Sequence, residues 1–149
     1  MKSILVVCMG NICRSPMGEG FLASRLPTIN VHSAGLAAVV GAGADPITVK
    51  LMLEKGVDVR KHVAKQINQS LCKNSDLILV MENSHRDRIE SLYPFCRGKV
   101  FLITGKDGGD VLDPYRRDLS FFENALNLID DGSKLWAEKI KKITALKKI

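Results

Sequence analysis

The chain has 149 residues, 46% of them hydrophobic, and its 22 lysines and arginines outnumber 16 aspartates and glutamates for a net charge of +6. That length fits a single domain over 1–149 with a proper core, and no apolar run approaches the roughly 20 residues of a membrane-spanning helix, which speaks against stable membrane insertion. A basic surface favours anionic partners, while few aromatics and no recognition motif speak against nucleic acid.

In chain order, Met1-Lys2-Ser3 is too brief for a signal peptide and leads directly into structure. Lys2–Val7 predicts a buried parallel strand, because Ile4-Leu5-Val6-Val7 is continuously apolar. After the segment Cys8-Met9-Gly10-Asn11-Ile12-Cys13-Arg14, a helix is expected from Pro16 to Leu26, with Pro16 as its first residue and Ser15 as its N-cap. A short strand follows at Ile29–His32, then a small-residue loop at Gly35–Gly43. Pro46–Lys55 reads as a helix stopped by Gly56, and Gln69–Lys73 as a short one. Asp76–Met81 is a second buried strand, Ser84–Leu92 a helix ended before Pro94, and Lys99–Ile103 the fourth strand. Thr104–Leu119 is a long loop.

The last helix, Phe121–Ala145, carries apolar or small residues at 122, 126, 129, 133, 136, 140 and 143, one face at steady helical spacing. Trp136 reads as core on that face, and Gly132 is a weak point inside it. Lys134, Lys139, Lys141, Lys142, Lys147 and Lys148 hold much of the basic excess, as a solvated helix face. Strands alternating with helices predict an α/β fold: three layers, with a four-stranded, doubly wound parallel sheet flanked by helices. The segment after strand one falls at the carboxyl end of the sheet, where such folds bind ligands.

Cys8 and Arg14, with five residues between them, bracket a loop between a strand and a helix. A thiol, with an ordinary pKa of about 8.5, becomes a better nucleophile beside positive charge and a helix N-terminus. The backbone N–H groups of Met9, Gly10, Asn11, Ile12 and Cys13 can form a nest for phosphate oxygens, and Arg14 adds a bidentate fork. Gly10 permits close backbone approach, and Asn11 tolerates a left-handed backbone and can tie the loop to itself. The expected roles are Cys8 as nucleophile, Arg14 as phosphate binder, and the Ser15 hydroxyl as support for the departing thiol. Cys13 could trap an oxidised Cys8 as a reversible disulfide; loop packing is the alternative.

Hydrolysis also needs a group that gives a proton to the leaving oxygen and later takes one from water. Asp45, Asp107, Asp110, Asp113 and Asp118 are the candidates, and Asp45 and Asp113 both precede proline, which fixes an extended backbone. Composition does not choose between them. Cys8, Cys13, Cys72 and Cys96 show no paired C-x-x-C spacing, so zinc is not expected and reduced thiols in a cytoplasmic compartment fit best. His32, His62 and His85 are scattered, without metal-ligand spacing, and read as surface or structural residues.

Val7-Cys8-Met9-Gly10-Asn11-Ile12-Cys13-Arg14-Ser15-Pro16, together with Asp113-Pro114-Tyr115, resembles the low-molecular-weight protein tyrosine phosphatases. Ser33-Ala34-Gly35 and Ala44-Asp45-Pro46 are similar to that family's loop beside its active site. The resemblance covers nearly the whole chain and looks closest to the bacterial branch associated with capsule and exopolysaccharide export. It implies a cofactor-free phosphotyrosine phosphatase working through a cysteinyl-phosphate, with Asp113 as general acid and base and Tyr115 stacking on the substrate ring. It further implies a tyrosine-phosphorylated protein partner, such as a membrane-associated bacterial autokinase. Arg116 after Tyr115, the aliphatic Leu36-Ala37-Ala38-Val39-Val40, and Met17-Gly18 depart from other branches and bear on substrate preference. Thiol-dependent arsenate reductases share this fold and loop, but they need two further cysteines in a relay; Cys72 and Cys96 lie twenty-four residues apart, and Asp113-Pro114-Tyr115 has no use there.

Overall fold

The computed structural model describes residues 1–147; Lys148, counted above in the basic face, lies outside them. Strand β1 (Ser3–Cys8) runs through the middle of a parallel sheet, between β2 (Asn30–Gly35) and β3 (Leu77–Val80), and β3 in turn pairs with β4 (Val100–Leu102), giving the order β2-β1-β3-β4. Ile4 through Val7 and all of β3 are buried, as strands covered on both faces require. β1 runs one residue further than its apolar run, so Cys8 is its last residue, in register with Gly35 of β2. β2 is also longer than its short apolar signal, because Ser33, Ala34 and Gly35 pair with β1 despite weak strand propensity.

Alternate residues of β1 feed two cores. Ile4, Val6 and Cys8 pack with α1 (Arg14–Arg25), α2 (Pro46–Glu54) and α5 (Leu119–Lys147), through Met17, Leu22, Met52, Phe122 and Ile129. Leu5 and Val7 face α3 (Gln69–Asn74) and α4 (Asn83–Leu92), through Cys72 and Ile89. The result is the expected three-layer α/β arrangement.

The helices depart from expectation at several positions. Helix α1 starts at Arg14 with Cys13 as its cap residue, and no side chain caps it. Ser15 is the second helical residue, because its hydroxyl is engaged elsewhere; Pro16 is the third, still within the turn whose N–H groups have no helical partner. In α5 the apolar face holds as far as Ile140 but fails at Ile143, which is exposed where the helix runs past the sheet. Trp136 is half-buried, its ring tilted against Phe101 at a centroid distance of 5.7 Å while its Nε1 donates to Leu102 O at 3.2 Å. Gly132, far from being a weak point, is where α5 crosses the end of β4: a Cβ there would sit 2.3 Å from Ile103 O. Among the described residues no helix is long and apolar enough to cross a membrane.

Candidate active site

The five residues between β1 and α1 form a loop whose carbonyls are tied down one after another. Cys8 O accepts from Leu36 N at 3.0 Å, Met9 O from Ala37 N at 2.9 Å, Gly10 O from Val39 N at 3.0 Å and Ile12 O from Asp45 N at 2.8 Å. Asn11 O lies 2.6 Å from His62 Nε2 and Cys13 O accepts from Thr48 Oγ1 at 3.4 Å. With the carbonyls held outward, the loop N–H groups are left to the concave side; Asn11 N donates to Cys8 Sγ at 3.3 Å. Helix α1 adds its N-terminal N–H groups, with no acidic side chain in its first turn to compete for them. Gly35 makes the close approach possible, since a Cβ there would meet Met9 O at 2.5 Å.

Asn11 is the hub of this loop. It is fully buried and takes a left-handed backbone at φ +59°, which asparagine tolerates better than most residues. Its Nδ2 donates to Ser15 Oγ at 2.7 Å and to Ser33 Oγ at 2.9 Å, and its Oδ1 accepts from Lys65 N at 2.9 Å. Ser33 Oγ in turn donates to Glu19, whose Oε1 is 3.8 Å from His62 Nδ1. Because Ser15 Oγ accepts from Asn11, its own proton is free for Cys8 Sγ, 2.9 Å away.

Arg14 lies buried beneath the loop. Its Nη1 donates to Glu82 Oε2 at 2.5 Å and to Val111 O at 2.7 Å, its Nη2 is 3.8 Å from Asp113 Oδ2, and its Nε is buried without a protein partner. Glu82 was not among the expected site residues. The signal for it was its place directly after the buried run Leu77–Met81, at the carboxyl end of the sheet.

Cys8, Met9, Gly10, Ile12, Cys13, Arg14, Val39, Asp113 and Tyr115 together line a cavity of about 150 Å³. Of the five candidate carboxylates only Asp113 borders it. Asp113 Oδ1 accepts from Tyr115 N at 3.1 Å, and the turn closes through Arg117 N to Pro114 O at 2.9 Å, with Arg116 at φ +60°. Asp45 instead caps α2, accepting from Ile47 N at 2.9 Å, and Asp110 accepts from Asn83 N at 2.8 Å. A larger cleft of about 560 Å³ lies behind the loop along Glu19, Val57 and His62, and none of Cys8, Arg14 or Asp113 lines it. Cys13 is buried, and burial, then Asp45, Asp113 and Cys8, push its thiol well above the ordinary range against the opposing pull of Arg14, so it keeps its proton.

Cys72 and Cys96, far apart in sequence, are neighbours in one buried cluster. They belong to the core on the opposite face of the sheet from Cys8. Burial first, then Cys96, pushes Cys72 up to about 12. The sequence distance therefore misled about their proximity, yet the pair is not placed to receive a disulfide from Cys8.

Residues 3–146 match the model of the low molecular weight phosphotyrosine protein phosphatase family. The chain belongs to that family. It is 43% identical over 141 residues to the probable low molecular weight protein-tyrosine-phosphatase EpsP of Ralstonia nicotianae, an alignment covering 95% of this chain and 97% of the relative. Among solved structures, Vibrio vulnificus Wzb in complex with benzylphosphonate superposes with a TM-score of 0.89 at 42% identity, over 93% of this chain and 98% of that one. The YwlE arginine phosphatase from Geobacillus stearothermophilus superposes with a TM-score of 0.90 at 29% identity, over 97% and 96%. Family membership favours a phosphatase over an arsenate reductase.

Proposed function

We propose that this protein hydrolyses phosphotyrosine in proteins through a cysteinyl-phosphate on Cys8. One observation carries the reading: Cys8, Arg14 and Asp113 border a single small cavity whose other walls include Met9, Ile12, Val39 and Tyr115, which suit an aryl ring. The phosphate sits on the loop N–H groups and Arg14, which hold its charge as it moves onto the Cys8 sulfur. Asp113, at the open side of the cavity, gives its proton to the departing phenolate. It then takes one from the water that attacks phosphorus, while Ser15 donates to the sulfur as the thiolate leaves.

The substrate class rests on the walls and on the relatives. Phosphoserine would leave the apolar walls uncovered, and a phosphorylated guanidinium would set a polar group against them. A Wzb relative that binds benzylphosphonate, an aromatic ring carried on a phosphonate through one methylene, supports the same preference. The resemblance to EpsP and Wzb supports a partner that is an autophosphorylating bacterial tyrosine kinase linked to exopolysaccharide export, met in the cytoplasm.

The test is a set of rates on phosphotyrosine, phosphoserine and phosphoarginine peptides, for wild type, Cys8→Ser and Asp113→Ala. A strong tyrosine preference is expected, with turnover lost in Cys8→Ser and greatly reduced in Asp113→Ala. Undiminished turnover in Cys8→Ser, or a preference for phosphoarginine, would overturn the proposal.

A further inference from the structure

Glu82, the carboxylate that holds Arg14, has a second neighbour that the reaction does not use. Glu82 sits in extended backbone between β3 and α4, and His85 lies one turn into α4, its N donating to Glu82 O at 3.0 Å. The ring folds back so that His85 Nε2 is 3.2 Å from Glu82 Oε2, the same oxygen that accepts from Arg14 Nη1 at 2.5 Å. The Arg14 and His85 side chains are each 2% exposed, whereas that of Glu82 is 27% exposed. The linking carboxylate is thus the one member of the chain with access to water, and the one most in need of a second restraint.

We propose that His85 is a positioning residue for Arg14: as a neutral ring protonated on Nε2, it donates to Glu82 Oε2 and fixes the carboxylate that sets the guanidinium beneath the phosphate loop. The role rests on the phosphatase reading for its kinetic readout but not for its anion-binding readout.

The surroundings select this protonation state. His85 Nδ1 is buried without a partner, so a second proton would create an unsatisfied buried donor. The charged groups facing the ring come from three segments: Arg14 from α1, Glu82 from the residue before α4, and Asp110 and Asp113 from the long loop between β4 and α5. Burial first, and Arg14 second, hold the imidazole below its ordinary range, against the pull of the three carboxylates. A neutral donor has an advantage here that a lysine or arginine would lack. It orients Glu82 without cancelling the negative charge that Arg14 needs, and without repelling Arg14 itself. The i to i+3 spacing on a helix start makes the contact local, so it forms whenever α4 forms.

The test compares reach at constant chemistry. His85→Gln keeps a neutral donor at about the reach of Nε2; His85→Asn keeps the amide but falls short of Glu82. Inorganic phosphate binding is followed by NMR titration, and turnover is followed on p-nitrophenyl phosphate, for both variants in the wild-type and Glu82→Gln backgrounds, with melting curves to establish folding. His85→Asn is expected to weaken phosphate binding and lower kcat/KM by about fivefold to twentyfold, and His85→Gln to recover most of that loss. In the Glu82→Gln background, His85→Asn is expected to cost less than about twofold. Equal losses in His85→Asn and His85→Gln, or an undiminished loss without Glu82, would reduce His85 to a packing residue and overturn the inference. A wild type that binds phosphate but turns over no phosphate ester would instead refute the phosphatase reading, and the binding series would still decide on His85.

Discussion

Asn11 Nδ2 donates to Ser15 Oγ at 2.7 Å, and this bond decides where the Ser15 hydroxyl proton points: with its oxygen already accepting, the serine can offer its hydrogen to Cys8 Sγ at 2.9 Å. Asn11 also supplies the left-handed backbone at φ +59° and holds β2 and the segment at Lys65 against the loop. Asn11→Ala removes three side-chain bonds at a fully buried site and places alanine in an unfavourable backbone region. We expect a loss of stability of about 2 kcal/mol or more, seen as a lower denaturation midpoint, and a drop in kcat of about 10². A variant with normal stability and turnover would mean that the loop holds its shape without this hub.

Asp113 borders the cavity and lies 3.8 Å from Arg14 Nη2, on the solvent side of the site. If it gives a proton to the leaving oxygen, its importance must scale with the leaving group's need for one. Asp113→Ala should slow phosphotyrosine hydrolysis by about 10² to 10⁴, and should slow an aryl phosphate with a strongly acidic phenol much less. The plot of rate against leaving-group pKa should therefore be steeper in the variant. Parallel plots would move the proton transfer to another group.

Gly132 allows α5 to cross the end of β4 at van der Waals distance, where an alanine Cβ would lie 2.3 Å from Ile103 O. Helix propensity alone would make Gly132→Ala stabilising by about 1 kcal/mol. The backbone clash reverses the sign, because Ile103 N is itself held to Val80 O at 2.9 Å and the strand end has little room to retreat. We expect destabilisation of about 1–3 kcal/mol, measured by urea denaturation. A stabilised variant would show that the helix shifts at little cost.

That glycine illustrates which parts of the molecule were legible in the sequence. The strands, the helices and the Cys8–Arg14 loop are written in contiguous residues, and Asp113-Pro114-Tyr115 is a local motif that the fold brings to the same cavity. The supports of the site come from elsewhere: Ser33 is twenty-two residues from Asn11, His62 fifty-one, and Glu82 sixty-eight from Arg14. No spacing rule links such residues, because only the parallel sheet brings the ends of β1, β2 and β3 together. Ser15 shows the opposite failure. Its local signal for a helix cap was sound, but the hydroxyl has partners in Asn11 and Cys8, so the helix begins two residues earlier, at Arg14, with Cys13 at the cap position. Cys72 and Cys96 show that separation along the chain says little about separation across a layered fold.

The buried His85 also gives stability a pH dependence whose sign follows from its surroundings. Burial and Arg14 lower its folded pKa below the ordinary value of 6.5. Above that value both folded and unfolded chains carry a neutral ring, and the full stability is present. As pH falls below 6.5 the unfolded chain takes up a proton that the folded chain refuses, so stability declines until the pH reaches the lowered folded pKa, and then levels off. His85→Gln has no such group. Denaturation free energies for wild type and His85→Gln, taken between about pH 7.5 and about pH 5, should therefore converge toward acid, with wild type losing the more. Parallel curves would mean that the folded protein accepts a proton on His85 as readily as the unfolded chain does, and that Arg14 and burial do not keep the ring neutral.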